Sequence, residues 1–243
     1  MKPEISFIIT TFNSGKFLKN CIDSCLNQYQ HNVSYEIIII NDGSTDNTDK
    51  ILSKYTQKNI KTFFIENSGI EKAVNYAFEK ADGKYFVRVD ADDYLHLKYL
   101  KNIQKYLTNN KTFIYTNYWL VDEFKNVLKK IELPKFDINE IKKRGDFMAS
   151  GTIYPRTIIE QVGGYQTNFK NCGLENYEMI LKIIDRGFQG FVINDPLVFY
   201  RRHGENMSEN KRKLIIEYGD YIAKKFKLEK YQTNEYHPYG LVL

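Results

Sequence analysis

Ile37-Ile38-Ile39-Ile40-Asn41-Asp42-Gly43-Ser44-Thr45-Asp46 sets four β-branched residues directly against six residues dense in turn and cap formers. An apolar run without polar alternation suits a parallel strand covered on both faces, and the polar residues after it end the strand. The same change recurs on either side. Ile5-Ser6-Phe7-Ile8-Ile9 reads as a buried strand and gives way to the loop Thr10-Thr11-Phe12-Asn13-Ser14-Gly15. A helix follows, with apolar residues at 17, 18, 21, 22, 25 and 26. After the second loop a helix carries Ile51, Leu52 and Tyr55, and Thr62 to Ile65 is a third strand. Ser68-Gly69 opens a helix with Ala73, Val74, Ala77 and Phe78 inward, and Asp82-Gly83 ends it. Tyr85 to Val89 is a fourth strand that runs into Asp90-Ala91-Asp92-Asp93. The order β-α-β-α-β-α-β within 93 residues implies an α/β protein: right-handed crossovers and a parallel sheet with helices on both faces. Ligands of open sheets bind beyond the carboxyl ends of the strands, where the loops after strands one, two and four lie.

The second half is less regular. Leu97, Leu100, Ile103 and Leu107 mark a helix; Phe113 to Val121 reads as a strand, with Asn126 to Ile131 pairing back on it. Asp137 to Lys143 is basic and weakly helical, and Gly163-Gly164-Tyr165 is a turn. Tyr177, Ile180, Leu181 and Ile184 keep helical spacing up to Gly187, and Phe188 to Ile193 is a further strand before Tyr200-Arg201-Arg202-His203-Gly204-Glu205-Asn206. The stretch from Lys211 to Lys230 is basic and amphipathic, which fits either an anionic membrane surface or a helix packed on the domain.

With 243 residues, 42% of them hydrophobic, the chain is long enough to bury a real core. A net charge of +5 on 35 basic and 30 acidic residues gives no argument for a nucleic-acid partner. Cys21, Cys25 and Cys172 are an odd, sparse set, the usage of a reducing compartment rather than a disulfide scaffold. Cys21 and Cys25 share a helical face with Phe17, Leu18, Ile22 and Leu26 and have no His nearby, so they read as core residues. With no secretory leader before the first strand and no apolar run of membrane-spanning length, the sequence points to a cytoplasmic protein.

Asp90, Asp92 and Asp93 are the sharpest chemical signal. Three carboxylates at the end of an apolar strand repel one another, and a divalent cation such as Mg²⁺ or Mn²⁺ would neutralise them while keeping sites for substrate phosphates. A solvated acidic turn is the other reading. Asp42 is placed to accept a nucleobase N–H or simply to hold a turn. Ser68-Gly69 could bring backbone N–H groups towards a phosphate or serve as an ordinary helix cap.

In order and at their spacing, Ile8-Ile9-Thr10-Thr11-Phe12-Asn13, the loop Asn41 to Asp46 and Asp90-Ala91-Asp92-Asp93 closely resemble the family 2 glycosyltransferases with the GT-A fold. Asn67-Ser68-Gly69, Asn75, Gly83-Lys84-Tyr85, Gly163-Gly164-Tyr165 and Arg202-His203-Gly204 also match, so the resemblance runs from about residue 4 to about residue 208. It implies a Rossmann-like nucleotide-diphospho-sugar transferase with a mostly parallel central sheet flanked by helices. Residues 1–208 would form the GT-A domain, with a nucleotide-binding half (1–93) and an acceptor-side half (94–208), and 209–243 a helical tail. The implied reaction is metal-dependent transfer, with inversion, from a nucleoside-diphosphate sugar, most often a UDP-sugar, to a hydroxyl of a glycan or lipid-linked glycan acceptor in surface polysaccharide synthesis. The tail would allow peripheral contact with the inner face of the membrane.

The resemblance also assigns residues. Thr11, Phe12 and Asn13 would line the nucleoside pocket and Asp42 would read the base. Gly69 and Lys72 would approach the donor. Asp90 would contact the ribose or the metal's water shell, with Ala91 beside it, and Asp92 would bind Mg²⁺ or Mn²⁺. His203, on a late loop, would close over the diphosphate or complete the metal shell, with Arg202 helping to stabilise the leaving group. One departure matters. The family commonly has Glu-Asp at the start of the late helix, with the Asp as base, and this chain has Glu175-Asn176. A carboxamide cannot take the proton, so Glu175 becomes the preferred base, with Glu178, a differently oriented acceptor, or a nucleotide-binding protein without transfer as the alternatives. The family's frequent Pro is Thr10 here, which bears on loop stiffness. A sugar-nucleotide nucleotidyltransferase shares the layered design but needs a Gly-rich basic loop after strand one; Thr10 to Gly15 has one Gly, and the first Lys is Lys16.

Overall fold

The structure, a computed structural model, describes residues 2–144, 150–204, 206 and 211–231. In chain order the first half comprises β1 (Ile5–Thr11), α1 (Gly15–Leu26), β2 (Tyr35–Asp42), α2 (Thr48–Leu52), β3 (Ile60–Ile65), α3 (Ile70–Lys80) and β4 (Tyr85–Arg88). The second half comprises β5 (Tyr94–Leu95), α4 (Tyr99–Ile103), β6 (Thr112–Val121), β7 (Val127–Ile131), α5 (Ile138–Arg144), β8 (Ile153–Pro155), α6 (Arg156–Val162), α7 (Glu175–Asp185), β9 (Gln189–Arg201) and α8 (Arg212–Lys225). One sheet runs β3-β2-β1-β4-β8-β6-β9-β5, with β7 paired to β6 outside that path.

The first four strands pair in parallel, as the apolar runs require. Ile37 to Ile40 are fully buried, and α3 packs over β1 and β2. The third strand starts two residues before its expected position and lies half-exposed at the sheet edge, with Phe64 turned to solvent. The fourth ends one residue early, at Arg88, and the Val89 N–H continues the ladder by donating to the Ile8 carbonyl at 2.8 Å.

Beyond β4 the sheet is mixed: β8 is antiparallel to both β4 and β6, while β9 runs parallel to β6. β9 extends to Arg201, eight residues past the expected Phe188–Ile193 strand, so Tyr200 and Arg201 belong to a strand rather than a loop. Pro196 falls where the β6–β9 register shifts around Asn117, a position that does not need its missing N–H. The helix expected over 97–107 is shorter: α4, then a 3₁₀ turn at Gln104–Tyr106, with Leu97 exposed. β5, β8 and α6 are too short to leave a period in the sequence.

α8 buries Ile215, Tyr218, Ile222 and Ala223. Tyr218 donates to Glu178 on α7, and Lys225 pairs with the same carboxylate at 2.5 Å. The apolar face of the tail is therefore spent on the domain, the packing reading of the two. Residues 232–243 of that tail lie outside the described residues. Among the described residues no helix is long and apolar enough to cross a membrane. All three cysteines are buried and free, and Cys21 and Cys25 sit in the core.

Candidate functional site

At the carboxyl ends of β1, β2 and β4 a cavity of about 440 Å³ opens. Thr11, Phe12, Asn13, Asp42, Asp90, Ala91, Asp92, Glu175 and His203 all line it. Hollows of about 590 and 670 Å³ lie elsewhere, but neither gathers unpaired carboxylates with a histidine.

The loops after β1 and β2 hold each other. Asn13, in the left-handed region at φ 52°, accepts the Thr45 N–H at 2.7 Å through Oδ1, and its own N–H donates to Ser44 Oγ at 3.0 Å. Asp46 accepts from the Gly15 N–H at 2.9 Å. A Cβ at Gly15 would lie 1.9 Å from Asn47 Oδ1, so a larger residue there would make the Asn47 side chain turn aside. Phe12 presents an exposed ring at the cavity, 47% accessible, while the Thr11 hydroxyl is buried without a partner among the described residues.

Asp42 is a bridge. Its Oδ1 accepts from Ser68 N–H at 2.7 Å and Ser68 Oγ at 3.1 Å, and its Oδ2 from Gly69 N–H at 2.9 Å. The Ile70 N–H donates to Asn171 Oδ1 at 2.9 Å. The Ser68, Gly69 and Ile70 amides are thus engaged by side chains and are not turned to a phosphate, which corrects that reading; Gly69 stands at the N-cap of α3 without a side-chain cap bond, and the Ser68 hydroxyl is spent on Asp42 instead. Gly69 does not line the cavity, and Lys72 is exposed on the outer side of α3. Ile70 and Ala73 are the α3 residues that do line it, as the helical period of its buried face dictates.

The three acids after β4 divide. Asp90 accepts from Arg88 Nε at 2.8 Å, and its own N–H donates to Ser150 Oγ at 3.0 Å. Burial pushes the Asp90 carboxyl up, against the pull of Arg88, with the neighbouring Asp92 charge adding to the rise. Asp93 is buried away from the cavity and accepts the Arg201 N–H at 2.8 Å; burial, then Asp92 and Asp90, push its carboxyl well up. Asp92 faces the cavity. Its Oδ2 lies 3.1 Å from His203 Nε2 and 3.4 Å from Asn206 Nδ2, and Asn206 Oδ1 accepts the His203 N–H at 2.6 Å. The His203 ring packs on Phe17 at 4.7 Å. Arg202 is exposed and does not line the cavity. Its buried neighbour Arg201 donates to the Asp92 carbonyl at 2.6 Å, the Glu123 carbonyl at 3.0 Å and Asn20 Oδ1 at 2.8 Å.

Helix α7 adds Glu175 to the lining. Its Oε1 accepts from Arg88 Nη1 at 2.9 Å, and its buried Oε2 has no partner among the described residues. Burial raises the Glu175 pKa, opposed by Arg88 and reinforced by the Glu71 charge. Asn176 points elsewhere: Oδ1 accepts from the Tyr165 hydroxyl at 2.7 Å and from Arg88 Nη1 at 3.1 Å, and the residue does not line the cavity. Glu178, the other carboxylate considered as a base, is bound to Tyr218 and Lys225 and does not line the cavity. Glu71, Cys172 and Glu175 bring ligand atoms close together. Both Glu71 oxygens, however, accept backbone N–H groups, from Asn171 and Cys172 at 2.9 Å each, and burial pushes the Cys172 thiol up. That cluster is a loop clamp.

Arg88, Arg201 and Asn206 are the contributors that sequence reasoning missed. For Arg88 the available signal was a lone charge inside an apolar strand, where burial demands a partner.

The family described as Glycosyl transferase family 2 matches residues 6–163. The chain is 28% identical, over 90% of its length and 85% of the relative's, to the Escherichia coli UDP-Glc:alpha-D-GlcNAc-diphosphoundecaprenol beta-1,3-glucosyltransferase WfaP. It is 36% identical over 75% of its length to an uncharacterized glycosyltransferase of Rickettsia felis, of which it spans 31%. Among solved structures, residues 1–349 of S. aureus TarS in complex with UDP-GlcNAc align with a TM-score of 0.70 at 21% identity, covering 93% of this chain and 66% of that one. The mannosyltransferase PcManGT of Pyrobaculum calidifontis, in complex with GDP-Man and Mn²⁺, aligns with a TM-score of 0.68 at 16% identity, covering 98% and 68%.

Proposed function

The chain belongs to glycosyl transferase family 2 and is a glycosyltransferase with the GT-A fold, and on that premise we propose that it transfers a sugar, with inversion, from a nucleoside-diphosphate donor to a glycan hydroxyl in a cation-dependent reaction. The observation that carries the proposal is one cavity lined both by Asp92 and His203, in contact with each other, and by Glu175, whose Oε2 has no partner among the described residues.

The residues present fit a divalent cation: carboxylate oxygen and imidazole nitrogen already converge at 3.1 Å, with Asp90 adding negative charge nearby. Asp92 and His203 would hold Mn²⁺ or Mg²⁺, which when bound neutralises the charge growing on the departing diphosphate. Phe12 offers a flat apolar face to a base, and the Thr11 hydroxyl a free hydrogen-bonding group. Asp42 uses three acceptor positions within the protein and keeps one for a base N–H. Glu175 Oε2 takes the acceptor hydroxyl's proton as that oxygen attacks the anomeric carbon. The bond to the diphosphate oxygen breaks on the opposite face, and its electron pair leaves with the nucleoside diphosphate.

A UDP-sugar is the preferred donor, supported by the names of WfaP and of the TarS complex; the GDP-Man complex of PcManGT keeps guanine as the alternative. WfaP's name also supports a lipid-linked glycan acceptor, and hence work at the inner face of the membrane. Three free thiols suit the reducing cytoplasm. We keep the division into a donor half (1–93), an acceptor half (94–208) and a helical tail. Asn176 favours a second reading, nucleotide-sugar binding without transfer. The test is hydrolysis and transfer across a panel of nucleotide sugars, for the native chain and Glu175→Gln. Loss of turnover by about 10²- to 10⁴-fold with nucleotide binding retained is the expected result. Unchanged turnover in the variant would overturn the role of Glu175, and binding without turnover in the native chain would establish the second reading.

A further inference from the structure

Among the described residues, nothing covers the turn of the β6–β7 hairpin or the first four residues of β7. Every residue from Phe124 to Lys130 is exposed, including Phe124 at 77%, Val127 at 54% and Leu128 at 57%. Large apolar groups gathered at one protruding tip mark an interaction site. Interleaved with them are Lys125, Lys129 and Lys130, and this segment carries no acid. The flanking acids are engaged within the protein, Glu132 by Lys130 itself at 2.7 Å, which leaves Lys125 and Lys129 to carry the tip's free positive charge. Asp122 accepts from the Phe124 and Asn126 N–H groups at 2.9 and 2.8 Å, and Glu123 pairs with Lys16 at 2.5 Å.

We propose that this hairpin tip docks the enzyme on an anionic lipid surface, with Phe124, Val127 and Leu128 entering the headgroup boundary and Lys125 and Lys129 meeting lipid phosphates. Strand β7, exposed on both faces over Val127 to Lys130, has no single face for a protein groove, whereas a bilayer can take the tip. The β-bulge that shifts the β6–β7 register between Leu120 and Val121, together with the two lysines after it, works against pairing of β7 with a second copy. Lysines around an apolar tip are the combination that anionic membranes retain.

Position gives the contact a use. Lys16 lines the donor cavity and holds Glu123 of the hairpin turn, and Arg201 joins the Glu123 carbonyl to the Asp92 carbonyl. Docking here sets the cavity beside the membrane surface, where a lipid-linked acceptor would present its sugar. That purpose rests on the proposed transfer reaction; the docking itself does not.

The chain's one tryptophan, Trp119, lies on β6 opposite Lys130. In a Trp119→Phe, Phe124→Trp chain the emission therefore reports on the tip alone. With vesicles of phosphatidylglycerol and phosphatidylcholine we expect a blue shift and co-sedimentation, both absent with phosphatidylcholine alone. Phe124→Ser with Leu128→Ser should weaken co-sedimentation of the otherwise native chain about tenfold or more, with an unchanged thermal melt. Absence of vesicle binding, equal binding to neutral vesicles, full binding by the double variant, or a dimer that the double variant abolishes would each overturn the proposal. UDP binding measured on the same samples separates such a failure from a failure of the transfer reading.

Discussion

Arg88 shares one guanidinium among Asp90, Glu175 and Asn176, and this sharing governs the candidate base. A buried carboxylate is a base only while ionised, and burial has raised the Glu175 pKa from its ordinary 4.5. The acid limb of kcat/KM should therefore have its midpoint above 4.5, with activity falling as pH drops through it. Because Asn176 is neutral, it draws little on Arg88. Asn176→Asp would place a second charge 3.1 Å from Nη1, compete for the guanidinium and push the Glu175 carboxyl higher. A pH–rate profile of that variant should show the limb moved to higher pH. A limb unmoved or lowered, together with activity in Glu175→Gln, Asn176→Asp, would place the base at residue 176 instead.

At the scale of elements, the site is held by side chains reaching between segments. Asn75 on α3 donates Nδ2–H to the Tyr165 carbonyl at 2.8 Å and accepts the Tyr165 N–H through Oδ1 at 2.8 Å. Gly164, at φ 69°, fits because a Cβ there would approach Asn75 Oδ1 to 2.5 Å. The clamp aims the Tyr165 hydroxyl at Asn176. Asn75→Ala should cost about 1–3 kcal/mol, the penalty of leaving the Tyr165 amide groups without partners, read from the urea midpoint; an unmoved midpoint would remove the clamp from the account. Elements β1, β2 and β4 and helices α1, α3 and α7 were legible because each carries its own period or apolar run. Strand β5, with two residues, and β8, with three, exist only because β9, β4 and β6 offer them edges, so nothing local announces them. The site divides in the same way. Asp90, Asp92 and His203 could be picked out by order and spacing. Arg88 and Arg201 could not, since their partners Glu175 and Asn20 lie 87 and 181 residues away. Lys72 and Arg202 were drawn in by proximity along the chain, but side-chain direction takes them out of the cavity.

Across the whole molecule, the two halves of the sheet bring different parts to one edge. The parallel half supplies Thr11, Asp42, Asp90 and Asp92 from strand ends, and the mixed half returns β9 so that His203 and Asn206 reach Asp92. Helix α7 adds Glu175, joined to Asp90 through Arg88. Strand ends fix these groups more firmly than free loops would, so the site is largely formed before donor arrives, and the remaining requirement is charge. The most direct test is calorimetric titration of the native chain and Asp92→Ala with UDP, GDP and CDP, each with Mn²⁺ and with a chelator. The account predicts that the native chain binds UDP with Mn²⁺ at least about tenfold more tightly than with chelator, a difference of about 1.4 kcal/mol, and that Asp92→Ala erases the difference. No heat with any of the three nucleotides, or binding indifferent to both chelator and Asp92→Ala, would contradict it.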